Sequence, residues 1–314
     1  MNKRSLRIMK WVWAVAVFLA AGLYAFRNWQ TLGDQMAGLA VWRLVISFGL
    51  VITGKLVLAE LARWSLLAER RRYSHRQMLY LCSLSQLGKY LPGGVWHLVG
   101  RGAFYQSHGV AMSLIGRSLI LENLWLLLSA IGFGASLTWA ALADRWLAGG
   151  PVGAVGMRLI GALLLLLVWA VTLTLVTRLA CAKLDRYRPN ALAVFFGQCV
   201  VWTSLGLSLA VLTPGVFTDI RLLLLAPGSL ALGWAAGYVT PFAPAGLGVR
   251  EAGAVALMTQ VLPLPQATFL VATTRLVWTG AELLLGAVSY VFYKGATPTA
   301  HSNVSPEMAS SSDP

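Results

Sequence analysis

Apolar positions in this chain come in long unbroken runs rather than in alternation with polar ones. Runs of about 20 residues, the length a helix needs to cross the hydrocarbon core of a bilayer, fall at 9–29, 41–62, 118–141, 158–177, 191–213, 221–239 and 267–293. Two further apolar stretches, 79–100 and 241–262, are interrupted by Pro and Gly. The pattern predicts an all-α fold, a polytopic integral membrane helix bundle of about seven to eight crossings with two broken or re-entrant segments. If 79–100 dips in and returns while 241–262 crosses, the crossings number eight and both termini share a side; if both return, they number seven. The loops are short, so residues 1–294 read as a single transmembrane domain. The Ser-, Pro-, Thr- and Ala-rich stretch 295–314 reads as a disordered cytoplasmic tail.

Composition sharpens the picture. The chain is 58% hydrophobic and only 11% charged, with a mean hydropathy of +0.70, whereas a soluble domain is about 25% charged. That excludes a soluble enzyme, and high hydrophobicity excludes intrinsic disorder. Thirteen Trp and nine Tyr suit a chain with many membrane–water interfaces. The net charge of +14 would suggest nucleic acid on a soluble protein; here it is the excess that cytoplasmic loops carry, and no nucleic-acid partner is expected. With the N-terminus in the cytoplasm, seventeen Lys and Arg fall inside, among them Arg70, Arg71, Arg72, Lys183, Arg186 and Arg188, against five outside. That asymmetry sets the expected orientation. The basic stretch from Lys3 to Lys10 also fits the start of a signal peptide, but the apolar run is long and no clean small-x-small site precedes Arg27, so a retained first helix is expected. Cys82, Cys181 and Cys199 form no C-x-x-C pair, so neither a disulfide framework nor a zinc site is expected, and no metal or cofactor.

The two interrupted stretches carry the candidate chemistry. The first holds Gly88-Lys89-Tyr90-Leu91-Pro92-Gly93-Gly94 and continues to His97 and Arg101. Pro92 removes a backbone N–H and clashes with the preceding turn, and Gly93 and Gly94 lower helix preference further. The second reads Pro241-Phe242-Ala243-Pro244-Ala245-Gly246-Leu247-Gly248-Val249-Arg250-Glu251. Pro241 and Pro244 end one helix, Gly246 and Gly248 permit a tight turn, and Glu251 falls in the first turn of the next helix, where the dipole favours a carboxylate. Irregular backbone at membrane depth survives only when it is buried in protein or lines a polar cavity. Pro92 and Pro244 lie 152 positions apart and Glu122 and Arg275 lie 153 apart, which suggests a weak internal repeat of the kind that places a substrate between broken helices.

Gly88-Lys89-Tyr90-Leu91-Pro92-Gly93 followed by Arg101, together with Pro244-Ala245-Gly246-Leu247-Gly248-Val249-Arg250-Glu251, resembles the flippase-like membrane region of lysylphosphatidylglycerol synthases and its stand-alone relatives. The resemblance spans roughly residues 10–293. It implies a multi-pass protein of a bacterial-type inner membrane linked to moving an aminoacylated phospholipid, or a polyprenyl-linked lipid, between leaflets. No soluble aminoacyl-transfer domain lies within these residues, so synthesis of the lipid is not expected of this chain.

Each charge at membrane depth costs about 2.5–3.5 kcal/mol on insertion scales, so each asks for a partner or a task. Lys89 before the first break and Arg250 after the second, with Arg101 and Arg275, would form a cationic cluster fit for a phosphate. Glu122 is a candidate for the same headgroup site, its structural alternative being an interface anchor or an ion pair with Arg117 or Arg101. Glu251 and Glu282 complete the candidate headgroup site; Glu282 lies seven residues after Arg275, on the same helix face but too far for a short direct pair. His97 shares a face with Arg101. Lys55 and Glu60, five apart, cannot pair with each other and must snorkel or find partners elsewhere. Gly233-Trp234-Ala235-Ala236-Gly237 lets a neighbouring helix of the same chain approach closely.

Enzyme signatures such as H-E-x-x-H, a Walker A loop or a dinucleotide glycine motif do not occur. Without ATP as an internal energy source, movement of a substrate would be downhill or ion-driven. The leading expectation is a flippase-like protein binding an anionic or aminoacylated phospholipid or a polyprenyl-linked lipid. The rivals are a non-transporting accessory of a glycosyltransferase or lipid-modifying enzyme, and a membrane transferase using Glu122 or Glu251 as a base.

Overall fold

The computed structural model describes residues 3–66, 73–90, 96–143, 151–181 and 189–293. They form eleven α-helices and, among the described residues, no strand: α1 (Lys3–Arg27), α2 (Trp29–Ala37), α3 (Val41–Ser65), α4 (His75–Leu87), α5 (Trp96–Ser107), α6 (Met112–Leu142), α7 (Pro151–Ala180), α8 (Ala191–Leu212), α9 (Ile220–Val239), α10 (Val249–Met258) and α11 (Leu264–Tyr293). Seven of them, α1, α3, α6, α7, α8, α9 and α11, are long and apolar enough to cross a membrane, and they coincide with the seven uninterrupted runs. The protein is a multi-pass helical membrane protein. Several helices outrun their apolar stretch: α6 begins at Met112 rather than near 118, because residues such as Arg117 reach the headgroup layer from a helix end without breaking it. Of the expected features, Pro92, Gly93 and Gly94, the basic residues Arg70–Arg72, Lys183, Arg186 and Arg188, and the tail 295–314 lie outside the described residues.

Helix starts follow local chemistry. Ser74 caps α4 by accepting from the Gln77 N–H at 3.2 Å while Gln77 Oε1 accepts from the Ser74 N–H at 2.8 Å, a reciprocal capping box. Asn190 and Asp219 cap α8 and α9 through the N–H groups of Leu192 and Arg221.

Buried side-chain hydrogen bonds then fix which helices are neighbours and in which direction they run. Ser47 of α3 donates to the Ser208 carbonyl of α8 at 2.8 Å, Trp125 of α6 donates to Thr177 of α7 at 2.9 Å, and Trp202 of α8 donates to Ser129 of α6 at 2.9 Å. With no hydrophobic drive between helices in lipid, such close packing and interhelical bonds supply cohesion. At the far end of α6 from Thr138, which lies on Gly228, Asn123 accepts from Tyr238 at 2.8 Å, so α6 and α9 are antiparallel.

The two broken segments behave differently. α4 and α5 have 13 and 12 residues, about 20 and 18 Å at 1.5 Å per residue, too short to span a core of about 30 Å. They turn back on each other: a Cβ on Gly88 would lie 3.0 Å from the His97 nitrogen. This hairpin enters and leaves at one end of the bundle. The second segment changes ends. α9 finishes beside Asn123, whereas α11 begins beside α2 and the end of α8, where Gln266, Phe269 and Leu270 share a crevice with Gln35, Trp42 and Leu212. The described residues therefore make eight passes, seven by the long apolar helices and one through a break, the short α10 and the turn after it. The first half of α1 and the end of α11 lie toward the same end: Trp13 donates to the Leu247 carbonyl of the break at 2.9 Å, and Tyr293 stacks on Tyr80 of α4 with centroids 4.4 Å apart. α4–α5–α6 and α9–α10–α11 follow one order, α6 and α11 start 152 positions apart (264 − 112), and these two helices run in opposite directions.

Candidate functional site

The break between α9 and α10 is built by its Pro and Gly residues. Pro241 ends α9's hydrogen-bonding pattern, and a 3₁₀ turn at Pro244–Gly246 follows. Gly246 and Gly248 have φ of 73° and 82°, the left-handed region that side chains disfavour. Ala245 is drawn in as well, with φ 52°. After the turn, α10 lies against α9: a Cβ on Gly233 would be 2.6 Å from the Arg250 carbonyl oxygen, so the small-x-x-x-small pattern serves packing within the chain. Glu251 braces the start of α10. Its Oε2 accepts from the Gly248 N–H at 2.7 Å, and its Oε1 is 3.0 Å from Arg275 Nε.

The other break, a 3₁₀ turn at Gly88–Tyr90, touches the first. α4 brings it to depth by lying along α11, with Leu87 against Gly286. There Lys89 Nζ donates to Glu282 Oε1 at 2.5 Å and Lys55 Nζ, from α3, donates to the same oxygen at 2.6 Å. Glu282 is 4% exposed, so a single buried carboxylate ties together α3, the hairpin and α11. A second ion pair, buried on its arginine side, holds the returning arm: Arg101, 2% exposed, donates from Nη2 to Oε2 of the partly buried Glu122 at 2.6 Å and from Nη1 to Cys82 Sγ at 3.3 Å. Arg250 lies over the rings of Trp234 and Trp278, 5.7 and 5.8 Å from their centroids, and Lys55 lies 4.9 Å from that of Trp278, within cation–π range.

These groups border one cavity of about 380 Å³, within the size range of ligand sites. Its described lining includes Lys10, Lys55, Lys89, Arg101 and Arg250, the carboxylates Glu122 and Glu282, the rings of Trp202, Trp234, Tyr238 and Trp278, and the break residues Pro241, Pro244 and Gly246. Five cations meet two carboxylates. A smaller pocket of about 60 Å³ lies between the two ion pairs, bordered by Lys55, Cys82, Gln86, Arg101, Glu122 and Glu282.

Lys89, Arg101, Glu122, Arg250 and Glu282 thus come together, with His97 beside Arg101 on the same wall. Arg275 does not join them. It and Glu251 are absent from the described lining and pair with each other, because α10 lies against the first half of α11 and reaches Arg275, whereas Glu282 faces α3 and the hairpin. Lys10 and Lys55 are the cavity cations that sequence reasoning did not assign; the signal for Lys55 was a lysine at depth with no partner in reach on its own helix. Glu60 finds Arg63, Trp64 and His75 instead. Gly248, like Gly246, serves the turn. Among the described residues no group of three or more His, Cys, Asp or Glu could hold a metal ion, and Cys82, Cys181 and Cys199 are not joined by disulfides.

Comparison with known proteins finds no family model that matches this chain and no curated protein that matches it.

Proposed function

We propose that the protein is a flippase-like carrier that takes the headgroup of an anionic lipid into the cavity between its two broken segments and passes it between leaflets, the acyl or prenyl tails remaining in the bilayer. The observation that carries this reading is the cluster of five cations against two carboxylates at the junction of both breaks, deep in an apolar bundle. Each charge at such depth costs about 2.5–3.5 kcal/mol on insertion scales, and an anionic headgroup offsets part of the cost of the cations. Aromatic walls give the cavity surfaces on which an uncharged part of a headgroup can stack. The resemblance of the Lys89–Gly93 and Pro244–Glu251 motifs to the lysylphosphatidylglycerol synthase membrane region points the same way. It favours a bacterial-type inner membrane, and the excess of Lys and Arg in alternate loops favours a cytoplasmic N-terminus.

The test is leaflet transfer in vesicles. Purified full-length protein is reconstituted with fluorescent anionic lipids, and loss of outer-leaflet fluorescence to a membrane-impermeant quencher is followed over time. Faster transfer than in empty vesicles supports the proposal, and Arg250→Ala is expected to slow it. Equal rates with and without protein, for every anionic lipid tried, count against carriage and favour an accessory role beside a lipid-modifying enzyme.

A further inference from the structure

We infer that the ligand of this cavity bears a phosphomonoester or diphosphate, with at least two negative charges, and that Lys55 and Lys89 bind it jointly. The inference deepens the carrier reading by naming the chemistry of the headgroup, and it rests on that reading only for the lipid tail.

Charge gives the first argument. The described lining holds three more cations than carboxylates, and residues 91–95, Leu-Pro-Gly-Gly-Val, carry no charged side chain. A phosphodiester carries one negative charge and leaves most of this surplus; an aminoacylated phosphodiester brings further positive charge and enlarges it. A phosphomonoester, close to a dianion at neutral pH, or a diphosphate comes nearest to neutralising it. The arrangement at Glu282 sharpens the point. One buried oxygen receives both Lys55 and Lys89, so the trio is cationic as a unit and its two ammonium groups are already gathered around one acceptor, the geometry a phosphate oxygen exploits.

Hydrogen bonding gives an independent argument. Trp278 is 3% exposed and Arg101 2%, both border the cavity, and neither Trp278 Nε1 nor Arg101 Nε has a hydrogen-bond acceptor among the described residues. Buried donors are nearly always satisfied. Both of these are donors, so the complementary ligand is rich in acceptors, as a phosphate is and an ammonium group is not.

The experiment uses the full chain in two formats. Binding of inorganic pyrophosphate in lipid nanodiscs reports the phosphate site alone. Vesicle transfer of labelled phosphatidic acid, phosphatidylglycerol and an aminoacylated phosphatidylglycerol reports the lipid. We expect phosphatidic acid to be moved about tenfold faster than phosphatidylglycerol, the aminoacylated lipid slowest, and pyrophosphate to compete. Lys55→Gln and Lys89→Gln are expected to weaken pyrophosphate binding about tenfold each, and Lys10→Gln, at the half-exposed start of α1, about threefold. Glu282→Gln has the opposite sign and is expected to tighten binding, an outcome that a merely structural trio does not produce. Equal or faster transfer of the diester or the aminoacylated lipid overturns the inference and leaves carriage standing. Pyrophosphate binding with the stated signs but no transfer of any lipid upholds the phosphate site and overturns carriage. Weaker binding in Glu282→Gln, or no pyrophosphate binding at all, overturns the inference.

Discussion

At Glu282 a single carboxylate oxygen holds two lysines that arrive from different elements, Lys55 from α3 and Lys89 from the turn of the hairpin. Removing that carboxylate leaves two ammonium groups buried without their shared partner, and breaking a buried pair in this way costs about 3–5 kcal/mol. Glu282→Ala is therefore expected to lower the thermal midpoint in detergent sharply. The triple replacement Lys55→Met, Lys89→Met, Glu282→Leu is expected to recover most of that loss, because apolar side chains of similar size replace a buried ion cluster at little cost. If the triple variant is no more stable than Glu282→Ala, the trio is held by something other than charge. Arg101→Met follows the same logic at Glu122, where the carboxylate loses a 2.6 Å partner. Individual charges at depth were legible in the sequence because apolar neighbours make them conspicuous. Pairing was legible only between near neighbours in sequence: Glu122 was a candidate to pair with Arg101, 21 positions away, and does, whereas Glu282 is 227 positions from Lys55 and 193 from Lys89, and the pairing of Arg275 with Glu251 depends on where α10 lies.

Among the elements, the seam between α9 and α10 decides where Arg250 points, since α10 is only ten residues long and is positioned by what it lies on. Gly233 meets the Arg250 carbonyl and the Ala254 nitrogen, and Gly237 meets Gly246 and the Arg250 side chain, all as backbone or first side-chain atoms that have nowhere to move. Gly233→Leu is expected to push α10 away from α9, costing about 1–3 kcal/mol as overpacking does, and to carry Arg250 off the rings of Trp234 and Trp278. The measurement pairs a thermal melt with the leaflet-transfer assay: transfer should fall in protein that remains folded at the assay temperature. Retained transfer with lowered stability would mean that Arg250 is not needed at its present place. Pro and Gly made both breaks readable in the sequence, because their effect on the backbone is local. What lay beyond local chemistry was the destination of each arm. α5 returns to the end it came from and α10 does not, although the two segments follow the same order of breaks.

Over the whole molecule, that difference between the two segments fixes the topology. Residues on α2, in the turn after α8 and at the start of α11 share one end of the bundle, while the hairpin's outer ends, the start of α1 and the end of α11 share the other. Hydropathy alone left seven and eight passes open, since α10 is too short and too interrupted to register as a span, and only its neighbours show that the chain has crossed. Cysteine labelling from each side of sealed vesicles checks this directly. In a background with Cys82, Cys181 and Cys199 replaced by Ala, single cysteines at Asp34, Thr218 and Gln266 are expected to react with a membrane-impermeant maleimide from one side. Those at Arg76 and Ser107 are expected to react from the opposite side, the cytoplasmic one in the orientation that the loop charges favour. Gln266 is the deciding position. Were the segment between α9 and α11 to dip and return, its cysteine would label with Ser107 rather than with Asp34, α11 would be reversed, and Glu282 could no longer lie near both Lys55 and the tip of the hairpin.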